Sequence, residues 1–337
     1  MKICLREMSL LTVFILLTLT LAINRAYAAP ITITVGSAPE DIAFDSNLNE
    51  LFVTNNGANT VSVISDATDK VVQTITVGTA PFGIAFDPNN DEVYVANFGP
   101  GVPIGTGTTV SVISDATNKV IKTITVGVSP AGVAFDSNLK EIFVANGGSN
   151  TVSVISDRTN TVVKTITVPR ESYGIPSPTG IVFDPHNDEL YVTDTGYDCN
   201  GNTVTVISDA TYKIVATVKV GFCPFYPLFD PHNDEVYIPN MYSATTSVIS
   251  DSTNKVIKTI IGQSGPMGAA FDPTKDEVYM INCYSFTVSI ISDSTNRITA
   301  TLTNLGLYYP QTIVYDPNTN QMFIPNAGSN TVTVIPG

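Results

Sequence analysis

Few side chains of this 337-residue chain are of catalytic types. It has two histidines, His186 and His232, and both stand in the same phrase, DPHNDE. An earlier copy reads DPNNDE, with Asn89 in the same place. A histidine that alternates with asparagine in a turn phrase reads as a solvated turn residue. A Ser-His-acid arrangement needs an imidazole beside the nucleophile, and haem or copper needs several such ligands. Neither demand is met, so no cofactor is expected. The stretch DPNND (87–91) starts like a calcium loop. However, Glu92 holds the sixth position, where glycine is required, and Phe98 the twelfth, where glutamate is required. It reads as turn chemistry. The remaining acids with catalytic potential are Glu40, Asp41, Glu171, Asp194 and Asp198, all in links or loops. If Glu40, Asp41 and Asp194 converge they could hold a divalent ion, which makes a metal-dependent hydrolase or lactonase the alternative function.

These residues sit in a repeat. Phe44, Phe86, Phe135, Phe183, Phe229, Phe271 and Tyr315 each fall in AFD or a variant of it, spaced 42, 49, 48, 46, 42 and 44 residues apart. Such a period signals a propeller or a solenoid. Each unit reads as four short strands, as in DIAFD (41–45), LFVTN (51–55), TVSVI (60–64) and VVQTITV (71–77), with turns rich in Asn, Asp, Gly and Pro. No helical periodicity intervenes. Seven units of four antiparallel strands make an all-β, seven-bladed β-propeller. Ala43, Ala85, Ala134 and Ala270 suit a first strand at the narrow centre, and the aromatic that follows suits packing between blades.

The phrases LFVTN, VYVAN and LYVTD, with TVSVI and the PxGIAFD link, resemble the YVTN-type β-propeller repeat proteins. The resemblance spans all seven units. It implies an exported or surface-layer propeller, similar in architecture to propeller lactonases, to an antibiotic-opening lyase and to propellers of periplasmic redox enzymes. A fold shared so widely implies little about activity.

The first 28 residues depart from the repeat. Lys2 and Arg6 precede an apolar run, Met8 to Ile23, and AYA (26–28) follows, the order of a secretory signal. Cleavage after Ala28 would leave a propeller over 29–337 with no membrane span, at the cell surface or outside the cell. It would also take the net charge from −14 to −16, by removing Lys2, Arg6, Arg25 and Glu7. An acidic surface excludes nucleic acid as a partner. The last unit, ending in TVTVIPG, lacks a fourth strand, whereas ITITVG (31–36) matches the fourth-strand phrase TITVG and has no unit of its own. Strand 31–35 is therefore expected to complete the last blade.

The longer spacings locate insertions in FGPGVPIGTGTT (98–109), PRESYGIPSPTG (169–180) and TGYDCNGN (195–202). All fall in second-to-third-strand loops or inter-unit links, which emerge on one face of an antiparallel meander. Aromatics gather there: Tyr197, Phe222, Phe225, Tyr226, Tyr242, Tyr284, Phe286 and Tyr308, with Tyr309 beside them. They are the candidate ligand-binding residues, for a cell-surface glycan, peptide or partner protein. The competing explanation is that they plug the channel or pack the loops together. Cys199 and Cys223 lie in adjacent loops of this face and are expected to form a disulfide, leaving Cys283 unpaired.

Overall fold

In the computed structural model, which describes residues 29–101, 105–169 and 177–337, seven four-stranded antiparallel sheets form a ring. In blade one the inner strand is Pro39–Asp45, the second Glu50–Asn55, the third Thr60–Ser65 and the outer Lys70–Thr76. The other blades repeat this order. Among the described residues no helix is long and apolar enough to cross a membrane.

The strands follow from the sequence pattern. The second strands carry Val, Ile, Leu and aromatic residues through their middles, between a leading Glu and a closing Asn, and are buried on both faces because a neighbouring blade covers each side. Outer strands such as Lys70–Thr76 are mostly exposed, and their one fully buried position is Ile75. The hairpin turns end in left-handed residues, among them Asn49 (φ 60°), Asn59 (φ 58°) and Asp69 (φ 53°). Asn and Asp tolerate that conformation, hence their abundance.

The core is seven clusters, one per blade junction, rather than one central mass. Each AFD aromatic packs towards the preceding blade: Phe86 joins Phe52 and Val61 of blade one, and Tyr315 joins Tyr279 and Ile281 of blade six. The alanines belong to these junctions too, Ala43 packing with Val93 and Val95 of blade two. Polar staples reinforce the junctions: the Tyr94 hydroxyl donates to Asn160 Oδ1 of blade three at 2.6 Å, and the Tyr237 hydroxyl to Asn296 Oδ1 of blade six at 2.6 Å.

The strand Ile31–Thr34 pairs antiparallel with Thr331–Pro336, Ile33 lying opposite Val332. It supplies the fourth strand of blade seven and closes the ring, as the repeat arithmetic predicts. Ile33 is 5% exposed and packs with Phe323 of blade seven and Leu51 of blade one.

Candidate functional site: the loop face and the channel mouth

Five of the inner strands open with a bulge. In blade one Pro39 is opposite Asn55 and Ile42 opposite Val53, so an extra residue lies between them. A bulge re-aims the side chains it contains, and here it sits at the axis. Its third position is Gly83, Gly132, Gly180 or Gly268 in four blades. A Cβ on Gly83 would come 2.2 Å from Ala131 O, and one on Gly132 2.4 Å from Thr179 O, both on the next blade. Three blades place a side chain there instead: Asp41, Tyr226 and Thr312.

Asp41 turns back to the sheets. Its Oδ1 accepts from Ile42 N at 2.9 Å, and its Oδ2 from Ile84 N of blade two at 3.1 Å. Tyr226 crosses the channel. Its ring stacks on Phe82 of blade two, centroids 6.0 Å apart, and touches Phe225 at 6.0 Å. Blades two and five are not neighbours, so this pair spans the axis and plugs the channel from the loop side.

Glu40 stands beside this plug. Glu40 and Asp41 are half-buried by area, yet protein packs densely around both. Desolvation, then the Asp41 charge, pushes the Glu40 carboxyl up to about 8, and desolvation pushes Asp41 up to about 7 despite its two N–H donors. The Tyr226 hydroxyl lies close enough to favour ionised Glu40, but it is buried without a well-formed hydrogen bond. Cys283 is buried nearby as a free thiol, pushed up to about 11 by desolvation and the Glu40 charge. It is therefore a poor nucleophile.

Next to the plug opens a cavity of about 510 Å³, within the range of small-ligand sites. Its walls include Phe82, Phe98, Phe225 and Tyr242, with Glu40 at its edge. Phe98 to Gly101, Ser177 to Thr179, and Thr195, Gly196, Asp198 and Cys199 complete it. Described residues of 98–109 and 195–202, with Ser177 to Thr179 at the described end of 169–180, thus border one cavity, while 102–104 and 170–176 lie outside the described residues. The Cys199–Cys223 disulfide forms and ties the third insertion to the link into blade five.

The eight candidate aromatics divide. Phe225 and Tyr242 line the cavity, and Tyr226 lies in the plug. Phe286 and Tyr308 belong to a separate rim cluster with Tyr309, ring centroids 4.9–5.4 Å apart. Phe222 and Tyr284 are exposed (52% and 53%) and do not line the cavity. Tyr197 begins a short 3-10 turn, Tyr197–Cys199. Packing and plugging thus account for Tyr226, Phe286 and Tyr308, and the cavity keeps Phe225 and Tyr242.

Phe82 and Phe98 were not among the sequence candidates. A signal for Phe82 exists: the second residue of the bulge reads Glu40, Phe82, Ala131, Thr179, Phe225, Met267 and Gln311 around the ring. That register varies while its neighbours repeat, as expected where the scaffold faces the axis.

The three acids considered as metal ligands do not come together. Asp194 replaces the asparagine that ends the other second strands. There Asn55 donates to the Thr60 and Ser62 hydroxyls, at 3.1 and 2.9 Å. At Asp194 the polarity reverses, its Oδ2 accepting from Thr203 and Thr205 at 3.1 and 2.8 Å in a site 4% exposed. Among the described residues, the trios of His, Cys or acidic ligand atoms within 4.8 Å lie on the opposite face, at His186 and at His232. Glu171 lies outside the described residues.

The fold and site define a seven-bladed propeller with one elaborated face. No protein-family model matches the chain, and no curated protein sequence does. Among solved structures it is similar to a chain of Kuenenia stuttgartiensis hydrazine synthase, with a TM-score of 0.76 and 19% identity over 94% of this chain and 99% of that one. At that identity the likeness is one of fold.

Proposed function

We propose that this chain is an exported, cell-surface binding propeller of the YVTN-repeat kind, a scaffold whose loop-face cavity receives a projecting group of a larger ligand. The observation that carries this reading is that described residues of all three inserted stretches border one cavity, while the rest of the ring stays regular. Insertions on a rigid scaffold are where binding specificity resides. Phe82, Phe98, Phe225 and Tyr242 offer aromatic faces to an uncharged ring. Glu40, titrating near neutrality, offers a hydroxyl-bearing ligand both a donor and an acceptor. That combination suits a sugar ring at the end of a surface glycan ahead of a peptide or protein side chain. The paired cysteines and the signal-like N-terminus support export. The hydrolase alternative loses support, because Asp194 is committed to two threonine hydroxyls.

The test is binding of residues 29–337 to a glycan array and to a surface extract of the producing cells. Tyr242→Ala and Phe98→Ala should weaken binding at least about tenfold, the scale of one lost aromatic contact in a pocket. Phe222→Ala and Tyr284→Ala, outside the cavity, should not. Equal effects from both pairs would overturn the reading.

A further inference from the structure

The face opposite the cavity carries both histidines of the chain. Each AFD aspartate closes an inner strand there and caps the following turn: Asp45 Oδ1 accepts from Asn47 N at 2.8 Å and from Leu48 N at 3.1 Å. The residue two places on is Asn47, Asn89, Asn138, His186, His232, Thr274 or Asn318. Where it is asparagine it can latch to the next blade: Asn47 Nδ2 donates to Asp91 Oδ1 and Asn138 Nδ2 to Asp188 Oδ1, both at 2.7 Å. Asparagine therefore performs the mechanical task. Histidine at this place adds a ring nitrogen with a lone pair, which the asparagine N–H lacks.

Around His186 the structure gathers ligands from two blades. Asp184 of blade four is fully buried. Its Oδ1 accepts from His186 N at 2.9 Å, and its Oδ2 is buried with no hydrogen-bond partner. Blade five contributes buried Asp251 and exposed Asp234, whose Oδ1 lies 2.5 Å from His186 Nδ1. One ligand atom each from Asp184, His186 and Asp251 lie within 4.8 Å of one another. The next junction gathers a different trio, His232, Asp276 and Asp293, within the same limit, with the turn aspartate of the following blade in place of the inner-strand one. His232 Nδ1 is 2.9 Å from Asp276 Oδ1, and fully buried Asp230 again has an unpartnered Oδ2. Each imidazole stands edge-on to the next blade's aromatic, at 5.4 Å for Phe229 and 4.8 Å for Phe271, which restricts its orientation. A buried carboxylate oxygen without a donor is costly. The same oxygen is buried without a donor at Asp45, Asp87, Asp136 and Asp272, so the cost is general to the ring, and the histidine beside it is what sets these two junctions apart. Three aspartates around one imidazole also leave an excess of negative charge at each junction.

We propose that each DPHNDE turn, with the blade that follows it, binds one divalent transition-metal ion of the zinc class, and that the two ions clamp blade four to blade five and blade five to blade six. One imidazole with carboxylate oxygens is a donor set that zinc and its neighbours accept, whereas calcium and magnesium take oxygen almost exclusively. The ligands must draw in by about 1 Å to reach zinc–ligand distances near 2.0–2.2 Å, and the exposed histidines and Asp234 and Asp276 have room to do so. Junctions that pair two aspartates beside an asparagine gather no such trio among the described residues.

The test strips the tag-free chain with a chelator, then titrates it with zinc chloride by calorimetry and elemental analysis. Two ions per chain are expected, with a higher melting temperature than the stripped form. Calcium chloride at equal concentration should do neither. His186→Asn and His232→Asn should each bind one ion, and the double variant none. Each variant should keep the melting temperature of the stripped wild type, because asparagine is native to that place in sister blades. No zinc uptake at about 100 µM, a level that fills any structural zinc site, would overturn the proposal. So would a double variant that still binds two ions.

Discussion

Replacing Ile33 by alanine tests the closure of the ring in quantitative terms. Ile33 occupies the outer-strand place that Ile75, Ile124 and Ile166 occupy in blades one to three, and all four are 5% exposed. If the N-terminal strand is as integral to blade seven as each outer strand is to its own blade, the same truncation must cost the same. Isoleucine to alanine at such a site costs about 2–4 kcal/mol, part transfer and part cavity. With an unfolding entropy near 2.1 cal/mol/K per residue, a chain of this length loses roughly 1.5 °C per kcal/mol, so the expected shift is about 3–6 °C. Ile31 is on the same strand but is 42% exposed, and Ile31→Ala should move the midpoint by less than about 1 °C. The assay is scanning calorimetry of Ile33→Ala, Ile75→Ala and Ile31→Ala side by side. If Ile33→Ala shifted the midpoint by less than a third of the Ile75→Ala shift, the strand would be peripheral in solution and the closure argument wrong. Deleting 29–35 goes further, because Thr331–Pro336 then becomes an open edge and uncovers Val332 and Val334.

The channel carboxyls set a pH dependence. Glu40 and Asp41 titrate above their ordinary values, so the folded chain binds more protons than the unfolded one near neutrality, and stability falls as pH rises from about 4.5 towards 8. Asp87, Asp115 and Asp230, pushed up by burial to about 6, and Asp209, to about 7, act in the same direction on the other face. Melting temperature against pH should therefore decline from pH 5 to pH 8. Glu40→Gln should flatten the upper part of that decline, and an unchanged slope would count against a desolvated Glu40. Gly132→Ala should cost about 2–3 kcal/mol in denaturant unfolding, since its Cβ meets Thr179 O at 2.4 Å and backbone cannot step aside. Reducing the Cys199–Cys223 disulfide, or replacing both cysteines by serine, should cost about 2–4 kcal/mol for a loop of this length. Peptide mapping that found both thiols free in the protein purified without reductant would refute the pairing.

The spacing of the AFD phrases was enough to establish blade number and strand order, because each blade pairs strands adjacent in sequence, and the unmatched ITITVG phrase established the N-terminal closure. The same locality put the described parts of the inserted stretches on one face and paired Cys199 with Cys223. The site was less legible. Tyr226 and Phe225 are adjacent in sequence, yet one bridges the axis to Phe82 while the other lines the cavity, because successive residues of the extended link after Pro224 point in different directions. Asp194 resembled a loop acid in the sequence, but its register at a strand end placed it against two hydroxyls.

By itself, then, the sequence determined the ring, its closure and the face that varies. The ring and its varied face rest on pairings between strands adjacent in sequence, and the closure, which pairs Ile31–Thr34 with Thr331–Pro336 at the other end of the chain, is readable because repetition leaves one fourth-strand phrase over and one blade a strand short. Tertiary structure alone decided which varied residues share a space. Phe82 and Tyr226 meet across a channel, and Asp184 and Asp251 across a blade junction. Such meetings depend on the curvature of the whole ring, which no single repeat encodes.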